Sequence, residues 1–243
     1  SKDFSLNVIA GATIRDDVAK NVNVSGSSLI QAGIFNISNR VVGTPGAGES
    51  NFRARQMGLY GDVRLGFKDY LYLHVTGRND WRSVLSQKNR SLFYPAADIS
   101  FIASDAIPFL KNSKVINSLK IRGGASQVGL VNLGAYALQP TFGQQAGYPY
   151  SGNPGFGIGN TVVSPDIKPE VTTSLEGGFD LEMFKSRVNF SATAYKSNTV
   201  DQTIGVQIPT VTGFTNFRTN TGEVQNYGLE TSLRVVPVRT SYG

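Results

Sequence analysis

His74 is the only histidine among 243 residues, and the chain has no cysteine. A Ser-His-Asp relay would have to pass through His74, while thiolate zinc sites, iron–sulfur clusters and thiol nucleophiles are excluded. The surrounding residues argue against a relay. Tyr70, Tyr72, His74, Thr76 and Arg78 alternate with Leu71, Leu73, Val75 and Gly77, so His74 is expected to be a hydrogen-bonded residue on the polar face of a strand. Asp16-Asp17 offers oxygen ligands to a hard cation, but adjacent acids are ordinarily just solvated, and no metal is expected. Gly155-Phe-Gly-Ile-Gly-Asn160 has the look of a phosphate-binding loop without the strand before it or the helix after it. Loop flexibility is its expected role. With no catalytic constellation and no cofactor site, an enzyme is the weakest functional class.

The richest binding chemistry lies within residues 129–171. Tyr136, Phe142, Gln144, Gln145, Tyr148, Tyr150 and Asn153 combine aromatic faces with side-chain amides. That mixture suits stacking on sugar rings, or packing on peptide side chains while hydrogen-bonding polar groups. The plainer alternative is that these aromatics pack the loop against its neighbours.

The elements that must hold such a loop are strands. In Met57–Phe67 the odd positions are Met57, Leu59, Gly61, Val63, Leu65 and Phe67, while the even ones include Tyr60, Asp62 and Arg64. After a turn at Lys68-Asp69 the alternation resumes through Tyr72 and His74, which reads as a β-hairpin. The same period of two recurs from Phe4, Phe93, Leu119, Leu175, Val188 and Tyr227, giving eight strands in all. Their polar faces carry Tyr60, Asp62, Arg64, Tyr72, His74, Arg122, Glu176, Asp180 and Glu230. Slipping the register by one residue would push such charges into lipid, at about 2–4 kcal/mol for each midplane Arg or Lys.

Strand length favours a bilayer. About eleven residues at ~3.3 Å, tilted by ~40°, rise about 28 Å, close to the ~25 Å apolar band of an outer-membrane barrel. The connections fall roughly at 14–52, 68–69, 80–91, 104–117, 129–171, 183–186 and 199–223. Three of the four on one side are long, and two of the three on the other are tight turns, as in an up-and-down barrel with long outer loops. Residues 104–117 could hold a helical turn. Phe67, Tyr70, Trp81, Phe93, Phe101, Phe184 and Tyr227 are expected in interfacial girdles. Arg53 and Arg55 continue the outward parity beyond the apolar band, where a phosphate-rich leaflet could hold them.

Composition agrees. Aromatics at 10% and charged residues at 16% do not describe a disordered chain. The 27 Gly, 10 Pro and 2 Met argue against a helical bundle. A net charge of +6 is spread over scattered residues without a basic stripe, so no nucleic acid is expected. No run of 18 apolar residues exists for a membrane helix, and Ser1-Lys-Asp-Phe4 does not open a signal peptide. Two rivals share the alternation: a complete eight-stranded barrel acting as an adhesin or anchor, and a soluble carbohydrate-binding β-sandwich.

Several blocks also carry a family resemblance. Arg78-Asn-Asp-Trp-Arg-Ser-Val-Leu85, Asn89-Arg-Ser-Leu-Phe-Tyr-Pro95 and Phe101-Ile-Ala-Ser-Asp105 form the first group. Ser118-Leu-Lys-Ile-Arg-Gly-Gly-Ala-Ser-Gln-Val-Gly129 and Ser164-Pro-Asp-Ile-Lys-Pro-Glu170 follow, with Ser174-Leu-Glu-Gly-Gly-Phe-Asp-Leu181, Asn220-Thr-Gly222 and Asn226-Tyr-Gly-Leu-Glu230. In order and spacing, over about residues 53–235, this set resembles the SusC/RagA family of TonB-dependent outer-membrane transporters. The resemblance implies an all-β, antiparallel transmembrane β-barrel of about 22 strands around a plug. It also implies a SusD-like surface lipoprotein as partner, the TonB complex acting through the plug, and import of oligosaccharides or peptides across the bacterial outer membrane. Residues 1–243 are then expected to be an internal part of one barrel domain. They show no plug and no TonB-box-like segment, and Thr240-Ser-Tyr-Gly243 does not read as a closing aromatic strand.

Overall fold

Two-faced strands need neighbours for their backbone and two different solvents for their faces, and the chain meets the first need by simple succession. The computed structural model describes residues 3–26, 28–41, 43, 45–145 and 147–237; Thr240–Gly243 lies outside the described residues. The chain runs β1 (Phe4–Ser25), β2 (Gly46–Phe67), β3 (Leu71–Arg82), β4 (Ser91–Ile102) and β5 (Ile116–Leu130). Three short strands follow, β6 (Phe142–Gln144), β7 (Phe156–Ile158) and β8 (Thr161–Val163). Then come β9 (Glu170–Met183), β10 (Val188–Val200), β11 (Thr203–Gln207), β12 (Asn216–Asn220) and β13 (Val224–Val235).

Eight strands form one sheet in the order β1-β2-β3-β4-β5-β9-β10-β13, and every neighbouring pair is antiparallel. Among the described residues no pairing joins β1 to β13. The sheet is therefore an open section of wall, and the closed eight-stranded barrel is set aside.

The register separates the faces cleanly. Leu6, Leu65, Leu73, Ile99, Gly123, Gly177, Ala194 and Leu229 lie in one row across all eight strands. The adjacent row, on the other face, is Asn7, Arg64, His74, Asp98, Gly124, Glu176, Tyr195 and Gly228. Among the described residues nothing packs over the apolar row: Leu6 is 66% exposed and Leu229 70%. A soluble sandwich would bury these side chains in a second layer. Among the described residues no second layer is present, and a bare apolar face of this kind is what a lipid-facing sheet shows.

At the short-turn end, Phe4, Phe67, Tyr70 and Phe101 stack in succession at centroid distances of 4.8, 5.6 and 6.0 Å. This is the edge-rich packing of an interfacial aromatic belt. The tight connections are built for their job. Lys68 and Asp69 both have positive φ, and Tyr70 N–H bonds back to the Phe67 carbonyl, as a type I′ hairpin requires. Phe184, Lys185 and Ser186 are also left-handed, held by the Asn117 side-chain carbonyl, which accepts from Lys185 N–H at 2.6 Å and Ser186 N–H at 3.3 Å. Between β4 and β5 the expected helical turn is two short ones, α1 (Ala103–Ala106) and α2 (Pro108–Lys111).

One boundary needs correction. The alternation places a loop at 14–52 between the first two strands. Instead β1 and β2 remain paired from Phe4↔Phe67 to Ser25↔Gly46. Charged residues interrupt the apolar alternation there, but outside lipid a ladder of backbone hydrogen bonds needs no apolar face.

Candidate functional site

The candidate site has a polar sheet face and a cap of long connections. On the face, His74 is pinned between two carboxylates, with Nδ1 2.7 Å from Asp98 and Nε2 2.9 Å from Asp62. Arg64 Nε lies 3.3 Å from Asp62. Because both ring nitrogens are engaged by carboxylates, neither is turned to a hydroxyl nucleophile, which a relay would need. Arg122 reaches across β9, donating to Thr193 Oγ1 at 2.7 Å and approaching Asp180 at 3.4 Å. Tyr72 donates to the Asp69 carbonyl. Tyr60 lies under the Arg78 guanidinium and beside Gly11, where any Cβ would meet its ring. Glu176 and Glu230 share the same face and are exposed. The register thus brings all nine polar-face residues named from the sequence onto one side.

The cap begins where β3 and β4 are joined. Leu85, Leu92 and Ile167 form a buried cluster, flanked by Val84, Tyr94, Val131, Leu133, Leu138 and Val163. Ile167 is fully buried. It sits in the middle of Ser164-Pro-Asp-Ile-Lys-Pro-Glu170, and two asparagines hold the backbone on either side of it. Asn89 Nδ2 donates to the carbonyls of Asp166 and Ile167 at 2.9 and 3.1 Å. Asn220 accepts from Lys168 N–H at 2.6 Å and donates to the Lys168 and Asp201 carbonyls. β8 adds to β12 in parallel, joining a small sheet of β11, β12 and β8. Three connections distant in sequence therefore become one unit. Asn89, Ile167 and Asn220 were not singled out as functional from the sequence, although all three lie in the blocks that carry the family resemblance.

The aromatic loop divides into two parts. Phe142–Gln144 pairs with Phe156–Ile158 as a hairpin. At its tip Tyr150 and Asn153 exchange backbone hydrogen bonds, and Gln144 donates to the Tyr148 carbonyl. The Gln145 side chain lies over Gly157 and the Tyr148 ring over Gly155. Phe142 and Tyr150 remain about 70% and 72% exposed. Tyr136 is apart from this hairpin. It borders a polar cleft of about 620 Å³ with Gln139, Thr141, Thr161, Asn216 and Arg218, and a smaller one with Arg53, Arg55, Ser83 and Val84. Neither of these clefts includes Phe142, Gln144, Gln145, Tyr148, Tyr150 or Asn153.

Asp16 and Asp17 cannot hold one cation together, because neighbouring residues of β1 point to opposite faces. Asp16 takes a bidentate contact from Arg53 at 2.8 and 3.1 Å and another from Arg55 at 2.9 Å. Lying beyond the apolar band, its carboxyl is held well below the usual carboxylate range, chiefly by the Arg53 hydrogen bonds and then by Arg55. Asp17 pairs with Arg15 at 2.8 Å, which raises the Arg15 pKa.

The family description TonB dependent receptor-like, beta-barrel matches residues 4–243. The chain belongs to this family. TonB-dependent receptor P26 of Formosa agariphila is 29% identical over 184 residues, which is 75% of this chain and 18% of the relative. TonB-dependent receptor SusC of Bacteroides thetaiotaomicron is 29% identical over 176 residues, 70% of this chain and 17% of SusC. The chain thus spans under a fifth of these relatives' length. In structure it is similar to the RagAB peptide importer in the closed-closed state, with a TM-score of 0.82 at 20% identity, over 98% of this chain and 26% of that one. The siderophore receptor PirA from Acinetobacter baumannii follows with a TM-score of 0.58 at 18% identity, over 94% of this chain and 31% of that one.

The TonB-dependent receptor barrel accounts for both faces of the sheet. The uncovered apolar rows meet the lipid of the bacterial outer membrane, and among the described residues the outer edges of β1 and β13 have no partner strand. The capped end is the end with long connections, which in this architecture faces outward.

Proposed function

We propose that this chain is part of one barrel domain of a TonB-dependent importer, whose plug is supplied by residues outside this sequence. The observation that carries this reading is the eight-stranded, consecutively paired sheet with one bare apolar face and one hydrogen-bonding face. Tyr60, Asp62, Arg64, Tyr72, His74, Arg122, Glu176, Asp180 and Glu230 line the lumen. Their networks give that surface fixed polar geometry beside a moving plug. The exposed rings of Phe142, Tyr148 and Tyr150, with Gln144, Gln145 and Asn153, contact an oligosaccharide or peptide at the mouth. Tyr136 does so from its own cleft. A SusD-like surface lipoprotein docks on the long connections, and the TonB complex acts through the plug. The name of the RagAB peptide importer favours a peptide, while the mixture of aromatic rings and side-chain amides suits an oligosaccharide equally well.

The test uses the full-length protein in its own outer membrane, with uptake of labelled oligosaccharides and labelled peptides measured as gene deletion and TonB depletion are compared. Both perturbations should abolish uptake of one class. Uptake of every offered substrate unchanged by deletion would overturn the reading.

A further inference from the structure

The apolar side of the β1–β2–β3 corner carries a groove of about 520 Å³ floored by Ile14, Met57, Leu59 and Trp81. The register puts Met57 and Leu59 on the face of Leu65, so the groove opens toward lipid and not toward the polar face. Moving outward along this face, Leu59 gives way to Met57 beside Trp81, then to Arg55 opposite Asp16, then to Arg53. Apolar, then aromatic, then cationic is the order in which a bilayer passes from acyl chains to headgroups.

The charge at this level is unbalanced. Arg55, Arg82 and Arg90 border the groove, and no acidic residue lines it. Arg53 and Arg55 share the single carboxylate of Asp16. Arg90 forms no salt bridge among the described residues, whereas Arg82, opposite Gln56, belongs by register to the polar face. Guanidinium groups in excess of carboxylates, next to an apolar trough, match a ligand that is anionic at one end and greasy at the other. Guanidinium recognises phosphate oxygens through paired hydrogen bonds.

We propose that this groove binds a phosphate-bearing lipid of the outer leaflet, with an acyl chain along Ile14, Met57 and Leu59 and a phosphate at Arg55 and Arg90. Trp81 lies between them, at the depth where an indole is stable. A free phosphate would use the arginines and leave the apolar floor empty; a neutral lipid would do the reverse.

The experiment takes the full-length protein into nanodiscs and measures retained lipid by native mass spectrometry. The probes are lipid A carrying two phosphates and the same lipid A dephosphorylated. Wild-type protein should retain the phosphorylated form at least about ten-fold better, a ratio equal to a tenfold difference in dissociation constant. The Arg55→Ala/Arg90→Ala variant should lose that preference, and a roughly hundred-fold excess of inorganic phosphate should not displace the lipid. Equal retention of both forms by wild type would overturn the proposal, as would an unchanged preference in the variant or displacement by phosphate alone. If the variant fails to assemble, the wild-type comparison decides, since it requires no substitution.

Discussion

The side-chain amide of Asn89 donates to the backbone carbonyl of Asp166 at 2.9 Å, spanning 77 residues of sequence. Its second contact, to the Ile167 carbonyl, fixes the strap that carries the fully buried Ile167 side chain. A partly buried amide serving two carbonyls leaves both unsatisfied when it is removed. Asn89→Ala should therefore cost about 1–3 kcal/mol of local stability. Amide exchange across residues 164–168 of the full-length protein should accelerate while exchange in the membrane strands stays unchanged.

Ile167 tests the same unit from its apolar side. Ile167→Ala should cost about 2–5 kcal/mol, and Ile167→Val only about 0.5–1.5 kcal/mol, because the cavity is smaller. Limited proteolysis should cleave within residues 131–169 of the alanine variant first. Equal protection of both variants would mean that Leu85 and Leu92 hold the cap without it.

The two faces of the sheet should respond oppositely to charge. Leu73 lies in the bare apolar row, whereas Thr76 shares the polar face with Asp62. Leu73→Arg should destabilise the assembled barrel by about 2–4 kcal/mol, with Thr76→Arg close to neutral. Heat-modifiable migration of the full-length protein on gels, titrated with denaturant, reads the difference.

Gly11 is a packing site for an aromatic ring. Any Cβ there would meet the Tyr60 ring, which also lies 5.9 Å from the Arg78 guanidinium. Gly11→Val should displace Tyr60 and break that stack, at about 1–3 kcal/mol. A shift in the tyrosine environment, followed by near-ultraviolet circular dichroism against Tyr60→Phe, checks it.

Asp16 sets an expectation for pH. A folded carboxyl held below its ordinary value contributes stability above the unfolded pKa and loses it only as pH falls through the lowered folded value. The Asp16 contacts with Arg53 and Arg55 should accordingly persist from about pH 8 down through the ordinary aspartate value of about 3.9. The carboxyl carbon shift of labelled Asp16 should stay flat over that range. Titration near the ordinary aspartate value would show that the pair does not form in solution.

All eight wall strands were legible because lipid on one side and water on the other impose a strict alternation, as in Leu65, Gly66 and Phe67. The outer halves of β1 and β2 were not, since Asp16 and Lys20 interrupt the row of Ile14, Val18, Val22 and Val24. Polar-face membership of His74 and Asp62 followed from parity alone. Their hydrogen bond did not, because it depends on where two rotamers meet across neighbouring strands. The aromatic loop was recognisable as binding chemistry by type, yet Tyr136 parts from Tyr148 and Tyr150 through hairpin pairing that three-residue strands barely signal. Asn89 and Asn220 bond to backbone distant in sequence, and no local spacing announces that.

The β1–β2 hairpin continues ten residue pairs past the level at which β3 stops, from Asp16↔Arg55 to Ser25↔Gly46. At ~3.4 Å per residue that is a mast of about 34 Å before tilt. A phage tail fibre or an antibody approaching this part of the cell surface would meet a two-stranded stem that has no third strand beside it among the described residues. Immune and viral pressure should therefore concentrate sequence changes along that stem, whose backbone ladder tolerates most side chains.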